Sequence, residues 1–235
     1  MSVYITGDIH GDPSRIYDMY INKPGLTEND VVIILGDVGA NYYGGKRDRK
    51  MKEFLSDIPA TILCIHGNHE ARPYTVGGYV EKLWNGGMVY VQDAYPNVLF
   101  AKDGEVYQIA GMSCLVVGGA YSVDKFYRQS RGWAWWEDEQ PSEETKQKVE
   151  SIIRERRIDV ILTHTCPEKY VPIECFISGI DQSTVDRSTE EWLDKIEENI
   201  EYKAWYCGHW HINKRIDKMH FLYDGIEELE VAYEP

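Results

Sequence analysis

The sequence has no apolar run long enough to span a bilayer, and it has no excess of basic residues. Its 39 acidic and 25 basic residues give a formal net charge of −14 at pH 7. A chain this acidic does not present the broad basic surface that long duplex nucleic acid or an anionic membrane requires. We therefore expect neither of these partners, although the charge is still compatible with a small nucleotide.

Cysteine is scarce and is not arranged in metal-binding pairs. The five cysteines form no CxxC motif, and Cys64 and Cys207 lie inside apolar runs, which predicts reduced core residues rather than a disulfide framework. The first residues enter an apolar run almost at once, which leaves no room for a signal peptide. We therefore expect a cytoplasmic protein. Its 235 residues, 43% of them hydrophobic, predict a single domain over residues 1–235.

Five short apolar runs are each followed by polar residues of the metal-binding type. Near-continuous apolar runs are typical of strands that are covered on both faces, as in α/β proteins. In such sheets ligands collect beyond the carboxyl ends of the strands. VYIT is followed by Asp8 and His10, VVIIL by Asp37, and TILCIH by Asn68 and His69. IDVILT is followed by His164, and AWYC by His209 and His211.

The donors in this set are oxygen and imidazole nitrogen, without thiolate. Such a set favours manganese or iron, with zinc, cobalt and nickel as alternatives. Asp8 and His10 are two residues apart, so on an extended chain both side chains can reach one cation, and His209 and His211 share that spacing. Seven ligands are too many for one tetrahedral ion, but they fit two ions about 3.5–4 Å apart that share a carboxylate. His66 and His220 fall outside this set and are predicted to be structural or solvated.

Helices and further strands are predicted between these runs. Helices are expected from Pro13 to Asn22, from 46 to 57, after Ser142, and after a capping box at 188–191. Residues 72–87 are predicted to be mostly loop, and a long loop is expected from 166 to 187. The segments MVYVQD, NVLFA, EVYQIA and SCLVV predict antiparallel strands in a second sheet packed on the first, and the end of the chain predicts a hairpin.

The segment from Tyr121 to Glu139 has a periodicity that fits neither helix nor strand. It concentrates three tryptophans and three basic residues in an otherwise acidic chain. One interpretation is a wall or lid over the metal site that supplies substrate contacts. The other is a surface excursion whose tryptophans Trp133, Trp135 and Trp136 cover the core.

The ordered blocks resemble those of the calcineurin-like metallophosphoesterase superfamily over residues 5–211. The blocks are D-x-H at Asp8 and His10, GD at Asp37, GNHE at 67–70, TH at His164 and GHWH at 208–211. The resemblance implies an α/β (α+β) fold, a two-sheet β-sandwich flanked by helices, with a dinuclear metal centre. It implies that Asp8, His10 and His211 hold one metal, that Asp37 bridges, and that Asn68, His164 and His209 hold the other. It places His69, with Asp37, in the catalytic machinery.

One block departs from the pattern of the Ser/Thr protein phosphatase branch. Relatives in that branch continue the GD block with a carboxylate that orients the catalytic histidine and an arginine that binds phosphate. Here the stretch reads GDVGAN, with Ala40 and Asn41 at those positions. The resemblance is therefore to bacterial or phage-type members. Arg72, Lys125, Arg128 or Arg131 could replace that arginine. Of these we expect Arg128 and Arg131, with Asn68, to bind substrate, because a planar bidentate donor suits phosphate.

Taken together, these residues predict an enzyme that hydrolyses phosphate mono- or diesters by attack of a metal-bound hydroxide. An alternative within the enzymes is a nuclease or a phosphodiesterase acting on small or cyclic nucleotides. An alternative of another class is a binding scaffold that keeps the fold without catalysis. Such a scaffold is expected to lack a ligand or the histidine, and this sequence lacks neither.

Overall fold

Two mixed β-sheets lie face to face in the computed structural model, which describes residues 1–23, 25–176 and 182–229. The seven-stranded sheet has the order β13-β1-β2-β3-β6-β5-β4. Its strands are β1 (Val3–Thr6), β2 (Val31–Ile34), β3 (Thr61–Cys64), β4 (Tyr79–Trp84), β5 (Gly87–Gln92), β6 (Tyr95–Ala101) and β13 (Ile226–Glu228).

The six-stranded sheet has the order β11-β12-β10-β9-β8-β7. Its strands are β7 (Glu105–Ile109), β8 (Met112–Val117), β9 (Val160–Thr163), β10 (Ala204–Cys207), β11 (Lys214–Ile216) and β12 (Met219–Phe221). In both sheets the central strands run parallel and the outer hairpins run antiparallel.

The register places the ends of the parallel strands at one level. In the first sheet Thr6 is opposite Ile34, and Ile34 is opposite Cys64. In the second sheet Thr163 lies between Val117 and Cys207. The polar blocks that follow five of these strands therefore leave the sheets side by side, which is the geometric basis of the site.

Three apolar layers hold the sandwich together. The first lies between the sheets and combines residues such as Ile33 and Leu63 with Val116 and Leu162. The second packs the outer face of the first sheet against helices α1 (Ser14–Asn22) and α2 (Lys46–Ser56). The third packs the outer face of the second sheet against helices α4 (Glu143–Glu155) and α5 (Ser188–Glu198). The central strands are buried on both faces, which explains why their sequences are apolar without alternation.

The helices are α1 (Ser14–Asn22), α2 (Lys46–Ser56), α3 (Lys125–Ser130), α4 (Glu143–Glu155) and α5 (Ser188–Glu198). Short 3₁₀ turns cover Pro73–Thr75, Glu168–Tyr170 and Ile173–Cys175. The predicted bounds of the first two helices are confirmed to within a residue. Ser142 caps α4 as predicted, because its hydroxyl accepts a hydrogen bond from the Thr145 amide.

The predicted fold class, a two-sheet sandwich flanked by helices, is confirmed, but several local predictions are wrong. Residues 79–84 form β4 rather than loop, and β13 was not foreseen. The strand-rich stretch is divided between the sheets: β4 to β6 extend the first sheet, and β7 and β8 join the second. Residues 125–130 form a helix. Within the predicted loop 166–187, residues 177–181 lie outside the described residues.

The predicted capping box at the start of α5 is also wrong. Ser188 is already the first helical residue, and the N-cap position falls on Arg187, whose side chain makes no capping hydrogen bond. The Ser188 amide instead donates to Asp186 Oδ1, and Glu190 turns inward to accept a hydrogen bond from Thr165. The predicted hairpin of β11 and β12 is confirmed. Of the helices in the described part of the chain, none has the length and hydropathy of a bilayer span.

Candidate metal centre

The polar blocks from both sheets converge between the strand ends. Asp8, His10 and His211 have ligand atoms within 4.8 Å of one another, and Asp8, Asp37 and His164 form a second such group. His211 Nε2 is 3.2 Å from Asp8 Oδ2 and 2.9 Å from His10 Nε2. Asp8, His10 and His211 all lie beyond strand ends, and their carboxylate oxygen and imidazole nitrogens are close enough together to bind one cation.

Asn68 joins the other side of the cluster. Its Oδ1 atom lies 2.8 Å from His164 Nε2 and 3.0 Å from His209 Nδ1. His164 Nε2 in turn lies 3.7 Å from Asp37 Oδ2, and His10 Nδ1 lies 3.9 Å from the same oxygen. Asp37 therefore stands between two groups of donors. The structure brings together all seven residues that the sequence singled out as ligands.

The backbone at these residues is unusual. His10, Asp37, His209 and His211 all have positive φ, between 45° and 66°, a conformation that costs most residues energy and concentrates at functional sites. The glycines before the ligands are equally constrained. A Cβ atom on Gly36 would overlap the His164 ring, and one on Gly67 would overlap the Asp37 carboxylate. Close approach of ligand side chains to backbone is therefore built into the motifs.

Titration at the cluster follows from burial and from the neighbouring groups. Burial alone would raise the pKa of Asp8, but the nearby His211 imidazole and the His209 amide, which donates to Oδ1, hold that pKa below its ordinary value. Burial holds the pKa of His209 well below its ordinary value, so this imidazole is neutral and offers a lone pair. Asp8 Oδ2 is buried and has no hydrogen-bond partner among the described residues. A buried carboxylate oxygen without a partner fits a metal ligand.

A layer of hydrogen bonds behind the donors fixes their orientation. His164 Nδ1 lies 2.7 Å from the Leu35 carbonyl oxygen, so this nitrogen donates and Nε2 is left as the metal-facing lone pair. Asn68 Nδ2 donates to Ser122 Oγ at 2.9 Å, which turns the amide oxygen towards His164 and His209. Both contacts point the correct atom at the centre of the cluster.

Ser122 connects several of these hydrogen bonds, and the sequence alone did not identify it. Its hydroxyl accepts from Asn68 and from Arg128 NH1, and it donates to Glu139 Oε2 at 2.5 Å. That uses the one donor and both acceptor positions of a hydroxyl. Glu139 Oε2 also accepts from Trp135 Nε1 at 2.8 Å. The segment 121–139 therefore holds the Asn68 amide from behind.

Comparison with known proteins agrees with this geometry. The sequence profile described as calcineurin-like phosphoesterase matches residues 1–213. The chain belongs to the calcineurin-like phosphoesterase family. A comparison with curated protein sequences found no match.

Among solved structures, the chain is similar to TT1561 of Thermus thermophilus. The TM-score is 0.54 at 11% identity, with 97% of each chain covered, and at this identity the likeness shows the fold alone. Phosphopantetheinyl hydrolase from Mycobacterium tuberculosis gives a TM-score of 0.44 at 13% identity, covering 94% of this chain and 88% of that one. AQ665 from Aquifex aeolicus, a protein of unknown function, gives a TM-score of 0.33 at 12% identity, covering 70% of this chain and 80% of that one.

Family membership supports a phosphoester hydrolase that depends on divalent metal, and the donor set fits such ions.

The histidine of the GNHE block, His69, lies at the edge of the cluster. Its amide donates to Asp37 Oδ1 at 2.7 Å, and its ring centroid is 5.6 Å from that of His10. His69 Nε2 lies 3.7 Å from Asp124 Oδ1, and the His69 side chain is 29% exposed. His69 is thus open to a ligand at the metal edge.

Glu70, which follows His69, is not one of the clustered donors. It is fully buried, and its Oε1 atom accepts hydrogen bonds from the amides of Gly67 and Val38. Burial, together with the charge of Asp37, raises the pKa of Glu70 to about 8. Ala40 and Asn41 are buried as well, and Asn41 accepts from the Tyr79 hydroxyl. The GDVGAN stretch supplies packing rather than a carboxylate or a guanidinium to His69.

The arginines predicted to bind substrate have other contacts. Arg128 is only 1% exposed and donates to Ser122 and to the Ala134 carbonyl, while Arg131 is exposed and stacks over Tyr127. Neither arginine lines the cavity of about 530 Å³ that opens beside the seven clustered donors. Arg72 binds Asp103 elsewhere, and Lys125 lies over the Trp135 ring. Direct substrate contact by Arg128 or Arg131 stays a prediction.

The tryptophans of segment 121–139 do not cover the sandwich core. Trp133 is 54% exposed, Trp135 is held by Glu139, and Trp136 packs on Tyr42. The two histidines predicted to be structural or solvated, His66 and His220, are both buried and outside the cluster. The ring nitrogens of His66 have no hydrogen-bond partner among the described residues, and His220 pairs with Glu227.

A cavity of about 530 Å³ opens from the metal cluster. The cluster side is lined by His10, Asp37, Asn68, His69, His209 and His211. The opposite side is lined by two chain segments, one beginning at Tyr121 and the other covering described residues between 168 and 190. The first part of segment 121–139 is therefore a wall of the cavity, and the clustered donors line its other side.

Proposed function

We propose that this protein hydrolyses phosphate esters at a centre of two divalent metal ions held by the seven clustered donors. The observation that carries the proposal is the convergence of ligands from five strand ends and two sheets around Asp8 Oδ2, an oxygen that is buried and accepts no hydrogen bond from the described residues. A scaffold that only binds has no need of this convergence together with a histidine exposed at its edge.

The donors divide into two groups around Asp37. Asp8, His10 and His211 would hold one ion, and Asn68, His164 and His209 would hold the other, with Asp37 between them. We propose manganese or iron as the native metals, because the donors are oxygen and imidazole, with zinc, cobalt or nickel as substitutes. Bound metals would supply an activated water and positive charge opposite the phosphoryl oxygens.

The protein's own groups then act on the leaving oxygen. His69 lies beside the donors and is partly exposed to the cavity, so its ring can hold a proton at the leaving oxygen. Asp124 faces the same ring and would orient it, which replaces the carboxylate that the GDVGAN stretch lacks. Asn68 contributes its amide oxygen to the metal side and is held by Ser122.

The direct test is hydrolysis of a panel of phosphomonoesters, phosphodiesters and nucleotides by protein loaded with Mn²⁺. We expect turnover of at least one class and two bound ions per chain by metal analysis. Asp37→Asn should abolish turnover and release one ion, because a neutral amide bridges two cations poorly. The control is Asp18→Asn, an exposed carboxylate on α1. At most one ion per chain in the wild type, or full turnover by Asp37→Asn, would contradict the proposal.

The same panel separates the alternatives. Preferential turnover of cyclic nucleotides or other small nucleotides would identify a nucleotide phosphodiesterase. Tight binding of a phosphate ester without turnover, in protein that retains both ions, would identify a binding scaffold. The acidic chain does not favour a nuclease for long duplexes.

A further inference from the structure

The part of the cavity away from the metals has a composition of its own. We call it the side chamber, and we define it by the apolar side chains Val123, Val171, Phe176, Val185 and Trp210. Trp210 stands between His209 and His211 in the chain, so the apolar surface begins directly beside the metal ligands. The inference below rests on the proposed function, because it concerns what lies beside a phosphoryl group held at those ligands.

Two aromatic rings give the side chamber a flat surface. The rings of Phe176 and Trp210 are stacked, with centroids 5.9 Å apart and planes inclined by 17°. Phe176 is half-buried, and the valines approach from two different chain segments. A flat apolar wall of this kind binds aromatic or alicyclic groups by contact and by exclusion of water.

The charged groups that line the side chamber are mostly acidic. Its described lining includes the carboxylates of Asp124, Glu168 and Asp186, the carboxyl group of Glu190, and one cationic side chain, that of Arg187. Arg187 is already engaged, because its NH1 atom donates to Glu168 Oε1 at 2.7 Å. The described lining therefore offers no uncompensated cation to a second phosphate or to a carboxylate.

One carboxylate oxygen of Glu168 in this lining has no hydrogen-bond partner among the described residues. Glu168 Oε2 is buried and accepts no hydrogen bond from the described residues. Asp186, in contrast, accepts from the Ser188 amide and from Gln140. An anionic group entering the chamber would meet like charges without compensation, whereas an ammonium or another donor would find an acceptor.

We propose that the side chamber binds the leaving group of a substrate that carries a single phosphoryl group on an apolar, preferably aromatic body. That body bears an amine or no charge, and it bears no second phosphate or carboxylate. The chamber selects the substrate class through Phe176 and Trp210 for shape and through Glu168 for charge.

A matched pair of substrates tests the charge selection. The phosphate esters of 4-(aminomethyl)phenol and 4-hydroxybenzoate have leaving groups of similar size and basicity but opposite side charge. With Mn²⁺-loaded protein we expect kcat/KM to be at least about tenfold higher for the amine. Equal values, or a preference for the carboxylate, would overturn the proposal.

Variants locate the effect in the side chamber. Glu168→Gln removes one negative charge and frees Arg187, so it should lower the amine-to-carboxylate ratio by at least about fivefold. Glu174→Gln is the matched control, because Glu174 is paired with Lys214 at the surface and does not line the chamber. A ratio unchanged by Glu168→Gln would also overturn the proposal.

A second pair of variants tests the apolar wall. Phe176→Ala should lower kcat/KM for 1-naphthyl phosphate relative to glycerol 2-phosphate by at least about fivefold, since only the first leaving group needs the ring. Phe126→Ala removes an exposed phenylalanine of α3 as a control. Equal losses on the two substrates would mean that the ring does not select the leaving group.

Binding measurements separate failure of this inference from failure of the proposed function. If no ester in the panel is hydrolysed, the proposed function is wrong. The side chamber can still be tested by calorimetry with 4-(aminomethyl)phenylphosphonate and 4-carboxyphenylphosphonate. Tighter binding of the amine, abolished by Glu168→Gln, would support the chamber in that case, and equal binding would refute it.

Discussion

Asp124 Oδ1 lies 3.7 Å from His69 Nε2, and the two residues follow strands of different sheets. His69 follows β3 of the first sheet, and Asp124 follows β8 of the second. The same oxygen is buried, accepts no hydrogen bond from the described residues, and lies 3.7 Å from Arg128 NH1. A carboxylate therefore faces the His69 ring, and it is supplied by a segment much further along the chain than Asp37.

The first prediction concerns the His69 imidazole. His69→Ala should lower turnover about 10²–10⁴-fold on esters with poor leaving groups, which is the range for a positioned acid or base. Esters with very good leaving groups should be affected much less, because they depart without a proton. Metal content should stay unchanged. The check is a series of esters with graded leaving groups, and an equal loss across the series would show that His69 does not serve the leaving oxygen.

The second prediction concerns Asp124 as the residue that positions His69. Asp124→Asn should lower kcat about tenfold or more on poor leaving groups, with KM and metal content little changed. In a His69→Ala background the same change should have almost no further effect, because it acts through the ring. Glu137→Gln removes an exposed carboxylate of the same segment as a control. Equal losses in both backgrounds would contradict the pairing.

The third prediction concerns Ser122, which holds the Asn68 amide. Ser122→Ala should weaken binding of the second metal ion by about 10–100-fold, the usual effect of losing a hydrogen bond behind a ligand. Calorimetric titration with Mn²⁺ measures this without any assay of turnover. Ser122→Thr keeps the hydroxyl and should restore most of the affinity. Ser130→Ala, an exposed serine on α3, is the control, and unchanged affinity in Ser122→Ala would refute the role.

The fourth prediction concerns Glu190 and the pH dependence of stability. Burial raises the pKa of Glu190 to about 7, and the charges of Glu168 and Asp186 add to that shift. Between about pH 4.5 and pH 7 the unfolded chain loses this proton while the folded chain keeps it, so the contribution of Glu190 to stability falls as pH rises. Above this window the buried charge is a cost.

Glu190→Gln should remove that cost while keeping the hydrogen bond from Thr165. Relative to the wild type, the variant should gain on the order of 2–3 kcal/mol in free energy of unfolding at pH 8, and almost nothing near pH 4. Urea unfolding in the presence of EDTA measures this without a contribution from bound metal. Glu191→Gln, an exposed neighbour on α5, should show no such pH-dependent gain. A gain equal at both pH values would contradict the assignment.

The sequence by itself determined the parts of the protein that depend on neighbours along the chain. The apolar runs before Asp8, Asp37, Asn68, His164 and His209 predicted buried strands, and the residues just beyond them predicted where ligands would collect. The order of the blocks predicted the family and its two-sheet fold. Ser142 predicted the start of a helix, because a cap uses an amide only three residues away.

Only the tertiary structure decided which distant residues meet. The pairing of Asp124 with His69, the hydrogen bonds of Ser122 and the burial of Arg128 join a segment after β8 to a block after β3, and no local periodicity encodes such contacts. The division of the strand-rich stretch between two sheets and the inward turn of Glu190 have the same origin. Packing between sheets and helices overrides local propensity wherever burial of a distant surface contributes more free energy than a local hydrogen bond.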